Sequence, residues 1–103
     1  MVQRRYRIAA ELFRALAHPQ RVRILELLAR EEMCVCDLTD ALHKPQAYVS
    51  QQLAVLRRAG LIVDRRQGVQ VFYQLTDPRL LDLMSSAATL GERLEGRLSP
   101  VVS

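Results

Sequence analysis

The stretch Val35-Cys36-Asp37-Leu38-Thr39-Asp40-Ala41-Leu42-His43-Lys44-Pro45-Gln46-Ala47-Tyr48-Val49-Ser50-Gln51-Gln52-Leu53-Ala54-Val55-Leu56-Arg57-Arg58-Ala59-Gly60 decides the fold. Val35, Leu38 and Leu42 recur at helical spacing and predict a short helix over 35–42. His43-Lys44-Pro45 turns the chain. Val49, Leu53 and Leu56 form the inward face of a second helix over 45–59, and Gly60 stands where a left-handed C-cap is wanted. Two short helices joined by about three turn residues, the second with a polar outer face, make a helix-turn-helix.

Beyond Gly60 the period changes to two. Leu61-Ile62-Val63 predicts a short apolar strand, and Asp64-Arg65-Arg66-Gln67-Gly68 a charged turn. Val69, Val71, Tyr73 and Leu75 then alternate with Gln70, Phe72 and Gln74, as in a half-buried strand. A charged hairpin directly after a helix-turn-helix is a wing. Asp77 and Pro78 suit the N-cap and first position of a last helix. Its apolar stripe is Leu80, Leu83, Met84, Ala87, Leu90 and Leu94; Gly91 weakens it, and Leu81 and Ala88 lie off it. Before the motif, Ile8, Leu12 and Leu16 recur every four residues in a helix over 5–17, broadened by Ala9, Phe13 and Ala15. His18-Pro19 interrupts it, and Val22, Leu25 and Leu28, with Ile24 and Leu27 beside them, form a helix over 19–30.

The fold class is therefore mainly α (α+β): a single winged helix-turn-helix domain over 1–103, with about five helices and a two-stranded β wing. The helix-turn-helix occupies about 33–60 and the wing 61–75. The helices over 5–17 and 78–96 carry more apolar surface than so small a domain can cover, so a homodimer through these first and last helices is expected. Two-fold symmetry would set two reading helices about 34–36 Å apart and call for a palindromic DNA site. Residues 99–103 read as a frayed tail.

Length and composition fit one globular domain, with half of its 103 residues hydrophobic. No apolar run approaches the ~18 residues of a membrane span, and the basic start has no apolar signal core, so a cytoplasmic protein with no membrane partner is expected. The formal net charge is +4, and fourteen of the fifteen basic residues are arginine. Arginine's planar donor fork suits phosphates and guanine edges. Between Lys44 and Tyr73 five basic residues face one acid, Asp64. That balance favours double-stranded DNA as partner.

On the second helix of the motif, Gln46, Ala47, Tyr48, Ser50, Gln51 and Gln52 read as exposed. Glutamine bonds adenine bidentately, serine reads bases or phosphates, and alanine meets a thymine methyl. Gln46, Ser50 and Gln51 are assigned to base edges and Tyr48 to backbone or base. Lys44, Arg57, Arg65, Arg66 and Gln67 are assigned to phosphates or the minor groove. Arg57 or Arg58 alternatively complements the helix C-terminus electrostatically.

The only cysteines are Cys34 and Cys36. In a reducing compartment such a pair reads as a metal or redox site before a disulfide. Thiolates favour As(III) and Sb(III), with Cd(II) and Pb(II) as further candidates. On a continuous helix, residues two apart project about 200° from each other. Either the segment is extended before an ion binds, or binding unwinds it, and the second is the working expectation. Two thiols leave a trigonal site one ligand short; His43, solvent or a small thiol would complete it. No obligatory cofactor is expected. The alternatives are burial of Cys34 as a small hydrophobe, and thiol-redox or persulfide sensing. A thiol-disulfide enzyme fares poorly, since no thioredoxin-like βαβ pattern surrounds the pair and no other catalytic constellation occurs. The chain is read as not an enzyme.

Several segments taken in order resemble the ArsR/SmtB family of winged-helix metal-sensing repressors: residues 15–25, Cys34-Val35-Cys36-Asp37-Leu38, residues 49–53, residues 56–62, Arg65-Arg66-Gln67-Gly68 and residues 71–75. The resemblance implies a homodimer that represses transcription and leaves DNA when an effector binds. The Cys-Val-Cys-Asp-Leu box is similar to that of the arsenic-responsive and cadmium/lead-responsive branches. The arsenic type usually has a third cysteine where this chain has Thr39. The cadmium/lead type adds N-terminal cysteines, and none precedes Cys34. Of the last-helix zinc motif only Asp77 is present, the other positions being Arg79, Leu90 and Arg93, so no zinc site of that kind is expected.

Overall fold

The computed structural model describes residues 2–98; the tail over 99–103 lies outside them. Eight elements follow in order: α1 (Val2–Leu16), α2 (Pro19–Arg30), β1 (Met33–Cys34), α3 (Val35–Leu42), α4 (Gln46–Arg58), β2 (Ile62–Gln67), β3 (Gln70–Leu75) and α5 (Arg79–Leu98). The five helices and their order agree with the sequence reading.

Each boundary has a local cause. At the start of α2, His18 is extended and its Nδ1 accepts from the Gln20 N–H at 3.2 Å, while Pro19 fills the first turn. α3 ends at His43, which takes the left-handed conformation at φ 56°. α4 ends in a full Schellman motif: the Leu61 N–H donates to the Leu56 carbonyl and the Gly60 N–H to the Arg57 carbonyl, both at 3.0 Å. Gly60, at φ 80°, supplies the left-handed residue this closure needs. Before α5, Asp77 Oδ1 accepts from the Arg79 N–H at 2.9 Å.

The core joins α2, α3, α4 and the base of the sheet. Ile24, Leu25, Leu38, Val49, Leu53, Leu56 and Ile62 are fully buried, with Leu80 and Met84 of α5 closing one side.

Three expectations need correction. The wing sheet has three strands, in the order β1-β3-β2, because Met33 and Cys34 pair antiparallel with Tyr73 and Phe72. A two-residue strand carries too little pattern to show as period two. Asp64-Arg65-Arg66-Gln67 is not a turn but the outer half of β2, paired from Ile62↔Leu75 to Gln67↔Gln70. The turn is the two-residue Gly68-Val69, with Gly68 at φ 63° in the first central position. Val69 therefore sits at the hairpin tip, 97% exposed, instead of facing the core. α1 and α5 leave Tyr6, Ile8, Phe13, Leu81, Leu90 and Leu94 exposed. No described helix is long and apolar enough to cross a membrane.

Candidate nucleic-acid interface and thiol pair

α4 presents Gln46, Ala47, Ser50 and Gln51 to solvent. Their exposure agrees with the sequence reading. Tyr48 is half-buried: its ring lies 6.5 Å from that of His18, and Lys44 Nζ sits 5.9 Å from its centroid. Gln52 is a correction. Sequence polarity placed it outward, yet it is buried on the core face of α4, where its Oε1 accepts from Arg21 Nε at 2.9 Å. The signal was available, since Gln52 falls in step with Val49, Leu53 and Leu56.

The basic residues divide by their partners. Arg65, assigned from the sequence to phosphates or the minor groove, is paired within the chain. Its Nε and Nη2 donate to the two carboxylate oxygens of Glu32 at 3.0 and 2.6 Å, and its Nη1 donates to Gln67 Oε1 at 3.0 Å. The group also lies 5.3 Å from the Phe72 ring centroid, on the neighbouring strand. These hydrogen bonds hold the Glu32 carboxyl below its ordinary range and raise Arg65. Arg65 thus braces the wing against the α2–β1 connection, its guanidinium held also by Gln67 of the same strand. Arg57 pairs with Asp64 Oδ1 at 3.6 Å, tying the end of α4 to β2. Among the described residues, Lys44, Arg58 and Arg66 have no acidic partner.

The cysteines occupy different environments. Cys34 is extended (φ −86°, ψ 171°) at the N-cap of α3, only 7% exposed, in register with Phe72. Cys36 lies in the first turn of α3 and is exposed; both thiols are free. Asp37 reaches back to accept from the Cys34 N–H at 3.4 Å, stabilising this helix start. The segment is therefore extended at Cys34 and helical from Val35, so the two thiols do not lie on one continuous helix. Thr39, at the position of the missing third cysteine, donates its hydroxyl to the Val35 carbonyl at 2.7 Å. His43 stands at the other end of α3, seven residues from Cys36 and so about 10 Å along the axis; the structure does not bring it to the pair. No group of three or more His, Cys, Asp or Glu side chains able to hold one ion occurs among the described residues.

Comparison with known proteins matches this arrangement. Residues 18–63 match the model of the bacterial regulatory protein, arsR family. A transcriptional repressor SmtB homolog of Synechocystis is 44% identical over 79 residues, 77% of this chain and 60% of that protein. The arsenic resistance transcriptional regulator ArsR1 of Pseudomonas putida is 46% identical over 76 residues, 71% of this chain and 59% of that protein. The chain thus spans about 60% of the length of these curated relatives. Among solved structures, Rv0081 of Mycobacterium tuberculosis superimposes with a TM-score of 0.79 at 38% identity, covering 95% of this chain and 96% of that one. A homodimeric winged helix-turn-helix DNA-binding domain from Mycobacterium bovis gives 0.76 at 25% identity, covering 89% and 85%. The five helices, the wing and these matches together place the chain in the ArsR/SmtB family of winged helix-turn-helix transcriptional regulators.

Proposed function

We propose that this chain is a DNA-binding transcriptional repressor, acting as a homodimer, that leaves its operator when Cys34 and Cys36 bind a thiophilic metalloid, As(III) or Sb(III) ahead of Cd(II) or Pb(II). The observation that carries the reading is a free thiol pair at the very start of α3, the helix that packs against the reading helix α4. Gln46, Ser50 and Gln51 read base edges, Ala47 and Tyr48 lie beside them, and Lys44 and Arg66 hold phosphates. The exposed Tyr6, Ile8 and Phe13 of α1 and Leu90 and Leu94 of α5 meet the second subunit.

The chemistry suits the donors. Arsenite, As(OH)₃, condenses with two thiols, forming two As–S bonds and releasing two waters. To take part, Cys34 must leave its buried place opposite Phe72. That withdraws one residue from the β1–β3 pairing and disturbs the N-cap of α3 together with its Asp37 bond. α4 then shifts with α3, and the groove fit is lost. The effector acts only through its preference for this second conformation.

The test is fluorescence anisotropy of the reduced protein on the DNA upstream of its own gene, with arsenite titrated in. Release complete at one arsenite per subunit, together with Cys36→Ser binding DNA but ignoring arsenite, is the expected result. Release of Cys36→Ser by arsenite refutes the thiol site. Release by peroxide or persulfide alone replaces it with the redox reading.

A further inference from the structure

Gln52 is the buried polar side chain of the described core, set among Val49, Leu53 and Leu56 on the inward face of α4. Burying an amide is costly unless it is hydrogen-bonded, and here a single arginine satisfies its oxygen. Arg21 Nε donates to Gln52 Oε1 at 2.9 Å, while Arg21 Nη1 donates to the Ala15 carbonyl in the last turn of α1 at 3.2 Å. One turn nearer the start of α4, Tyr48 meets His18 with ring centroids 6.5 Å apart. Tyr48 and Gln52 are four apart on one face of α4, while His18 is the extended N-cap of α2 and Arg21 lies in its first turn. The two contacts form a single polar seam between these helices.

Apolar contacts set how deep α4 sits but only weakly resist its rotation about its own axis. A directed hydrogen bond to a fixed guanidinium does resist it. The neighbouring Ser50 and Gln51 need placement within about 0.5 Å and 10–20° to read base edges. We infer that Arg21 and Gln52 are positioning residues for DNA recognition: they fix the rotation of the reading helix and tie it to the end of α1. This rests on the assignment of α4 as the reading helix and is independent of the thiol effector.

The experiment uses the full chain and a duplex of about 30 base pairs selected by the wild type from a random pool, with a scrambled duplex as reference. Arg21→Ala, Gln52→Ala and the double variant are compared by anisotropy across salt concentrations, below the melting point of each. Gln52→Met, which keeps the volume and removes the acceptor, serves if Gln52→Ala does not fold. Each single change should weaken the selected duplex about tenfold. The double variant should lose about the same tenfold, because the two residues act as one unit. Affinity for the scrambled duplex and the slope of log K against log salt should stay unchanged, since no phosphate contact is lost.

A slope reduced by about one in Arg21→Ala would make Arg21 a phosphate contact and overturn the inference. So would equal weakening on both duplexes, or none. Failure of the wild type to select any duplex would instead overturn the DNA-reading assignment itself.

Discussion

Gly60→Ala isolates the junction that sets the wing against the reading helix. Gly60 sits at φ 80° and an added Cβ would meet nothing within 4 Å, so the substitution acts through the backbone alone. Holding a non-glycine residue in the left-handed region costs roughly 1–2 kcal/mol. Reduced freedom of the unfolded chain returns about 0.4–1 kcal/mol. The net destabilisation is about 1 kcal/mol, a fall of about 4–8 °C in Tm for a domain near this size. Any relaxation of φ also strains the wing, because Thr76 Oγ1 donates to the Gly60 carbonyl at 2.8 Å and the Thr76 N–H to the Leu61 carbonyl at 3.1 Å. Thermal melting by circular dichroism at fixed protein concentration reads the effect. Gly60→Asn, which tolerates the left-handed conformation, should fall between Ala and wild type. An alanine variant as stable as wild type, or an asparagine variant worse than alanine, refutes the Schellman closure as the cause.

Three further outcomes follow from the same geometry. Hydrogen bonds from Arg79 hold the Asp77 carboxyl at about 2, below its ordinary 3.8, so its stabilisation is present above about pH 4 and is lost as pH falls toward 2. Asp77→Asn, which can still cap α5, should melt below wild type at pH 7, and most of that gap should close as pH falls from 4 to 2; a gap as wide at pH 2 as at pH 7 contradicts the pairing. Ser50→Ala and Gln51→Ala should each reduce specific DNA affinity, by about 1–3 kcal/mol where a bidentate base contact is lost, with melting unchanged; full retention of affinity removes these residues from the base-reading set. Phe13→Asp combined with Leu90→Asp should sediment as a monomer and bind DNA weakly, whereas a dimer would place the subunit interface elsewhere.

Much of the architecture was legible because strong periodicities coincide with strong punctuation. Val35, Leu38 and Leu42 gave α3 its bounds, Pro19 and Gly60 marked a start and an end, and Asp77 announced α5. The wing was less legible: the polar run Asp64-Arg65-Arg66-Gln67 resembles a turn, and only pairing with β3 makes it a strand. β1 was hidden for a related reason, since two residues cannot display alternation. At the site, polarity identified the outer face of α4 but misplaced Gln52, whose helical phase outweighs its side-chain chemistry once Arg21 supplies a partner. The partner of Arg65 is not legible in the sequence, because Glu32 stands thirty-three residues earlier. Cys34 and Cys36 were found at once as residue types. That one is a buried N-cap and the other an exposed helix residue depends on where α3 begins.

Hydroxyl-radical footprinting of the protein on the DNA upstream of its own gene reads out how many copies of α4 dock, and where. A dimer presenting two copies of α4 should protect two patches on one face of the duplex, centred about 10 base pairs apart, with protection lost in Ser50→Ala/Gln51→Ala. A single protected patch, scattered protection, or none at concentrations that saturate anisotropy would contradict the dimeric reading of DNA by α4.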